Sequence, residues 1–302
     1  MESFAFEIFE HGDPVLLEPL TCKKPALELE LAAGTLESTL LSRWSALQNA
    51  AGPGCRLRLA SDFWPSKALL EKAAAALAAG QSFTVTDADG VAAECGCTGC
   101  GSETAAISAD EASFRIRYPW DLLKINEEFL AGYTENDIKG TVRERVTLDG
   151  VVILGEGSVL LPGVYIEGVA VIGKNCKIGP NCYLRGYNFI SDKCHIGQAV
   201  EIKNSILMTH VAAGHLSYIG DSIVCQNVNF GAGTITSNFR HDGKNHRSMV
   251  QGCLIDTGRR KFGSIIGENV HTGIHTSIYP GRKIWADVQT RPGDVVQLDL
   301  MK

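Results

Sequence analysis

From Leu154 an aliphatic residue returns at every sixth position: Leu154, Leu160, Ile166, Ile172, Ile178, Leu184, Ile190, Ile196 and Ile202. A helix repeats its apolar face about every 3.6 residues and a half-buried strand every second residue, so neither yields a pure period of six. Stacked coils of short parallel strands do, because each side of a coil presents one inward aliphatic residue. A second inward series stands four positions after each of the first eight: Ser158, Val164, Ala170, Cys176, Cys182, Asn188, Cys194 and Val200. Its side chains suit a narrow corner, and its cysteines are predicted to be core residues. Gly155, Gly173, Gly179 and Gly197 directly follow aliphatic positions, where a turn with a backbone shape that glycine adopts cheaply is expected. The period resumes as Ile266, Thr272, Ile278, Ile284, Thr290 and Val296. The predicted prism is therefore interrupted between residues 203 and 261, where insertions and binding chemistry are expected.

Residues 1–115 lack this period and read as mixed α/β. Short apolar runs predict strands at residues 4–9, 55–60 and 82–85. Helices are expected at 36–49 and at 67–79, the latter alanine-rich with Leu69, Leu70 and Leu77 along it. A third helix opens at Tyr118-Pro119-Trp120 and runs through Phe129 and Leu130, with proline placed in the first turn. The expected organisation is an α/β domain at 1–116, a linker-helix region at 117–142 and a β-helix at 143–302.

Composition adds exclusions. With 45% hydrophobic and 21% charged residues the chain can bury a core, and a net charge of −6 argues against bulk electrostatic binding of nucleic acid or acidic membrane. No apolar run approaches the roughly 20 residues of a membrane span, and the start lacks an export signal, so a cytoplasmic protein with reduced thiols is expected. Of the 32 glycines, 22 lie from Gly140 onward, which marks the change of texture between the halves.

Three stretches carry a resemblance: Glu201-Ile202-Lys203-Asn204-Ser205, Gly214-His215-Leu216-Ser217-Tyr218-Ile219-Gly220-Asp221, and Asn227-Val228-Asn229-Phe230-Gly231-Ala232-Gly233-Thr234-Ile235-Thr236-Ser237-Asn238. Over roughly residues 117–296 the chain resembles the acetyltransferase half of the bifunctional N-acetylglucosamine-1-phosphate uridyltransferase/glucosamine-1-phosphate acetyltransferase family. Gly258-Arg259-Arg260-Lys261, behind an insertion, is similar to the archaeal branch. The resemblance implies a left-handed parallel β-helix forming a homotrimer, with acetyl-CoA and an amino-sugar 1-phosphate, glucosamine 1-phosphate first, in clefts between subunits, and no metal in acetyl transfer.

The resemblance also implies roles. His215 matches the general base for the sugar amine and Glu201 the carboxylate that holds its ring, a task suited to imidazole near neutral pH. Arg185, Lys203, Tyr218 and Lys261 match residues that bind the sugar phosphate, and Asn229 and Asn238 match amides on the sugar. Ala232 matches the position whose backbone N–H steadies the thioester oxyanion, and Ala232, Asn238, Phe239, Ile274 and Pro292 match positions meeting the cofactor. Two departures stand out: Ile274 replaces a serine of the family, and Phe239 an aromatic hydroxyl. From Arg240 through Lys283 eight Lys/Arg face three Asp/Glu, a local surplus of charge suited either to CoA phosphates or to a solvated loop.

The front region resembles a reduced nucleotidyltransferase around residues 17–44, but Leu31-Ala32-Ala33-Gly34-Thr35 lacks the second glycine and the arginine that nucleotidyl transfer requires. Cys95-Gly96-Cys97-Thr98-Gly99-Cys100 offers three thiols, a metal set only if a fourth ligand arrives from elsewhere. Two rival readings are a γ-carbonic-anhydrase-like metal lyase, prompted by the pairs His210/His215 and His241/His246, and a non-catalytic trimeric scaffold.

Overall fold

The computed structural model describes residues 4–52, 54–97 and 100–302. The chain separates into two compact units: the residues up to Asp13 with Thr35–Arg117, and Pro14–Gly34 with Tyr118–Lys302.

The first unit is built on a five-stranded sheet in the order Ala5–Phe9, Cys55–Ala60, Gly90–Cys97, Ser82–Asp87, Thr104–Ser108. Along Cys55–Ala60, Cys55, Leu57 and Leu59 are buried while Arg56 and Arg58 face outward, the alternation of a strand with one covered face. Helix α1 (Leu36–Trp44) starts with a reciprocal capping box: Thr35 Oγ1 accepts from Ser38 N–H at 3.1 Å and Ser38 Oγ from Thr35 N–H at 2.8 Å. It ends earlier than the apolar spacing suggests, passing into a 3₁₀ turn at Ser45–Leu47. That tighter turn brings residues three apart onto one line, which buries Trp44 and Leu47 completely. Helix α2 (Lys67–Ala78) is capped by Ser66 Oγ, accepting from Leu69 N–H at 2.9 Å, and buries Leu69, Leu70, Ala73 and Leu77.

The second unit is a parallel β-helix whose every predicted period-six residue, in both series, is buried. Leu148, Ile166, Leu184 and Ile202 pair in one vertical line, eighteen residues apart. The next partner of Ile202 is Ile219, only seventeen on, and Ile190 and Ile196 likewise meet Leu207 and Ala213. One residue is lost between Lys203 and Ile206, at the corner occupied by Asn204, and the sequence period breaks there although the prism continues. Beyond Val224 the partner is Ile266, a spacing of 42, or a coil of 18 plus 24 further residues. The extra residues leave the prism as a hairpin, Arg247–Val250 with Cys253–Asp256, and the eighteen-residue spacing returns between Ile278 and Val296.

The corner glycines are needed for a different reason from the expected one. Gly179 has a φ of +104°, but Gly155, Gly173 and Gly197 lie outside the left-handed region, and a Cβ on Gly197 would stand 2.0 Å from the Gly214 carbonyl oxygen of the next coil. At those three positions glycine serves the close stacking of backbones. The left-handed turn positions are taken largely by other residues, among them Asn175, Asn181, Ala199, Leu216 and Asn227.

Helix α3 (Pro119–Leu130) belongs to this unit and packs on the prism: Trp120 meets the Phe262 ring edge-on at 5.8 Å between centroids, and Asn126 donates to the Tyr187 carbonyl at 3.2 Å. Pro14–Gly34 is held to the coils by Lys23–Asp287 at 2.7 Å and by Glu30, whose carboxylate accepts from Thr209 N–H and Oγ1 at 2.7 and 2.8 Å.

Candidate active site

The short strands Tyr183–Ile190, Glu201–Lys203 and Tyr218–Gly220 are successive rungs of one face. Their register puts Arg185 beside Lys203, and Glu201 beside Tyr218. Arg185 Nε donates to Glu201 Oε1 at 2.6 Å. Lys203 Nζ donates to both oxygens of Asp221, at 3.0 and 2.9 Å. Asp221 is 1% exposed, and it also accepts from Asn238 Nδ2 at 2.5 Å; that amide reaches Tyr218 Oη at 2.8 Å as well. Burial, aided by the Asp221 charge, pushes the Tyr218 phenol up from its ordinary value, so it stays protonated at neutral pH.

Of the predicted residues, Lys203, Tyr218 and Asn238 are thus joined in one polar array, and Arg185 and Glu201 pair beside it on the same face. Its centre, Asp221, was missed as a functional residue although it closes the Gly214–Asp221 run, because only coil stacking sets it against Lys203. His215 lies on the adjoining face, at the end of the strand Ala212–His215, and Leu216 at a φ of +52° turns the chain onto the Tyr218 rung. Its ring is exposed, and among the described residues no hydrogen bond or ion pair joins it to Glu201, whose carboxylate faces Arg185. Asn229, also exposed, shares His215's face, stacked between Ala212 and His271.

Ala232 occupies a turn in which Gly231 donates to Thr272 and Gly233 to His215, and among the described residues its own N–H has no acceptor. Lys261 pairs across the root of the insertion with Phe239 and lies over that ring at 3.8 Å. Ile274 is exposed, as is Pro292 one coil on. A groove of about 650 Å³ runs along Ile235, Ser237, Phe239, Arg240, Ser277 and Tyr279. The surplus of positive charge in the insertion is partly consumed: Arg240 pairs with Asp242, Arg259 with Glu127 and Arg282 with Asp299, and Lys283 is buried. Among the described residues Lys261 has no carboxylate within ion-pair distance, so it is the least neutralised of the predicted phosphate ligands.

The family model described as the GMPPB C-terminal domain matches residues 160–281. A bifunctional sugar-1-phosphate nucleotidylyltransferase/acetyltransferase of Sulfurisphaera tokodaii is 43% identical over 185 residues, which is 61% of this chain and 46% of that protein. A bifunctional GlmU protein of Methanococcus maripaludis is 52% identical over 169 residues, 56% of this chain and 41% of its own. The chain is a relative of these archaeal bifunctional proteins. It spans less than half the length of the bifunctional relatives it matches. Among solved structures, the UDP-N-acetylglucosamine O-acyltransferase LpxA of Moraxella catarrhalis aligns over 52% of this chain and 64% of its own with a TM-score of 0.33 and 16% identity, a superposition too loose to carry argument.

Outside the region resembling the bifunctional proteins, the thiols correct one expectation. Cys97 is joined to Cys55 by a disulfide, while Cys95 and Cys100 are free; Thr98 and Gly99 lie outside the described residues. Cys176, Cys182 and Cys194 are buried in the prism and donate to the carbonyls of Ser191, Gly197 and Met208. No helix among the described residues is long and apolar enough to cross a membrane.

Proposed function

We propose that the β-helical unit transfers acetyl from acetyl-CoA to the amine of an amino-sugar 1-phosphate, glucosamine 1-phosphate being the first candidate, in a homotrimer. The observation that carries the reading is the array of Lys203, Tyr218 and Asn238 about Asp221, with the Arg185–Glu201 pair beside it, on the face adjoining the one that bears His215. The 43% identity to a protein named for sugar-1-phosphate nucleotidyl and acetyl transfer supports the choice of substrate class. In this mechanism His215 takes a proton from the sugar amine as its nitrogen attacks the thioester carbonyl. The Ala232 N–H donates to the developing oxyanion, the C–S bond breaks, and the proton passes to the departing CoA sulfur.

The charges refine the roles given by resemblance. Glu201 and Asp221 already balance Arg185 and Lys203, so the phosphate draws its net attraction from Lys261, and it competes with Glu201 for the Arg185 guanidinium. Glu201 released in this way becomes free to orient His215. Replacing Lys261 with Ala is expected to raise KM for the sugar phosphate about tenfold, roughly 1.4 kcal/mol, with kcat little changed. His215→Ala should lower kcat by about 10²–10⁴ in a protein of unchanged fold. Release of CoA thiol measured against glucosamine 1-phosphate, galactosamine 1-phosphate and free glucosamine tests both; activity that survives His215→Ala would remove the proposed base.

A further inference from the structure

Acetyl transfer makes no use of the cysteines in the first unit. Strands Cys55–Ala60 and Gly90–Cys97 are antiparallel neighbours, with Cys55 opposite Cys97 and Leu57 opposite Cys95. Side chains two apart on a strand share a face, and the sulfurs of Cys55, Cys95 and Cys97 all lie within 4.8 Å of one another. Cys100 N–H donates to the Cys97 carbonyl at 3.2 Å and Gly101 N–H to that of Gly80 at 3.0 Å. These bonds tie Cys100 to the end of the Gly90–Cys97 strand, with its sulfur outside the 4.8 Å grouping. Two cysteines of a Cys-x-Cys-x-x-Cys run and one from the neighbouring strand therefore converge at one end of the sheet, with the run's third cysteine hydrogen-bonded through its backbone to the strand end.

The Cys55–Cys97 disulfide accounts for only two of the four. It leaves Cys95, 2% exposed, packed against the bonded pair, and Cys100 beyond it, both as thiols. Zinc takes four thiolates at about 2.3 Å, which sets the sulfurs of a tetrahedral site about 3.8 Å apart. Three sulfurs within 4.8 Å of one another already stand in the range of that spacing, and opening the S–S bond frees Cys55 and Cys97 to adopt it, with Cys100 closing in as the fourth. The prism cysteines offer no such grouping: among the described residues Cys55, Cys95 and Cys97 form the single cluster of three metal-ligand side chains.

We propose that Cys55, Cys95, Cys97 and Cys100 form a four-thiolate zinc site whose alternative state is the Cys55–Cys97 disulfide. Opening the disulfide takes two electrons and two protons from a dithiol reductant, which is itself oxidised to a disulfide. Zinc then displaces one proton from each of the four thiols. In the reverse direction hydrogen peroxide takes an electron pair from Cys55 and Cys97, the S–S bond forms, and with two protons from water the peroxide leaves as two water molecules. Two remaining thiols are too few to hold the ion.

The full-length protein, reduced with dithiothreitol and desalted without oxygen, is titrated with Co²⁺ as a spectroscopic stand-in for zinc. The expected result is one equivalent per chain, with thiolate-to-cobalt charge-transfer bands and the intense visible bands of a tetrahedral site, displaced by one equivalent of Zn²⁺. Cys100→Ser, which leaves the Cys55–Cys97 pair intact, should weaken cobalt binding at least tenfold and alter those bands, whereas Cys22→Ser and Cys253→Ser should not. Peroxide should release one zinc and regenerate the Cys55–Cys97 disulfide, identified by peptide mass mapping. A reduced protein with native circular dichroism that shows no cobalt spectrum, or a spectrum unchanged in both Cys95→Ser and Cys100→Ser, overturns the site. Zinc kept by the peroxide-oxidised protein overturns the switch.

Discussion

Glycines in this chain do two different jobs, and substitution separates them. At Gly197 an added methyl meets the backbone oxygen of the next coil at 2.0 Å, while at Gly252, at a φ of +81° in the hairpin turn, it meets nothing within 4 Å. Gly197→Ala should therefore cost about 2–4 kcal/mol through forced separation of coils, and Gly252→Asn less than about 1 kcal/mol, because asparagine tolerates the left-handed region. Urea unfolding midpoints of the two variants check the contrast. Asp221 makes a second case: replacing it with Ala strands the Lys203 ammonium and leaves the Asn238 amide only Tyr218, at an expected cost of about 2–4 kcal/mol. Lys203→Met should cost more than a surface pair would, since Asp221 is left buried without its cation. His215 and Tyr218 were legible in a single chain segment because their run is contiguous. The Asp221 contacts were not, since they come from residues 17 and 18 positions away, brought together only by coil stacking.

At the scale of elements, the insertion and α3 stabilise one another. Trp120 packs on Phe262 and Glu127 pairs with Arg259, while His246, buried at the foot of the hairpin, hydrogen-bonds the Asn238 carbonyl at 3.1 Å. Burial chiefly, with the Arg240 charge, lowers the His246 pKa against the opposing pull of the Asn238 and Arg260 carbonyls and of Asp221. The unfolded chain thus binds this proton more readily than the folded one. Stability from His246 is complete above its ordinary pKa, near 6.5, and declines as pH falls below that value. Amide exchange in Arg247–Val250, corrected for intrinsic rates, should quicken between pH 7 and pH 5, and His246→Phe should flatten that dependence. The interruption was legible as a gap in the six-residue period, but its hairpin was not. Gln251-Gly252 links strands whose apolar alternation is weak, with Met249 and Leu254 exposed.

For the whole molecule, parallel stacking explains why one half was so readable and the other less so. Each coil repeats the same steric demand, so nine aliphatic residues in register specify the prism. The first unit is held by single-use features such as the Thr35 cap, the buried Arg115 pairs with Asp62 and Asp87, and the Cys55–Cys97 bond. Pro14–Gly34, which lacks the six-residue period and was therefore assigned to the front domain, contributes its contacts to the β-helical unit. We propose that this β-helix, with the exposed His215 on the face adjoining the polar array, is an acetyltransferase acting on an amino-sugar 1-phosphate. The most direct measurement is the release of CoA thiol when the purified full chain, its own cysteines blanked, meets acetyl-CoA and glucosamine 1-phosphate. The expected result is release that requires the sugar phosphate and falls at least a hundredfold in His215→Ala. A folded protein that releases no thiol with any amino-sugar 1-phosphate, or releases it equally without His215, would contradict it.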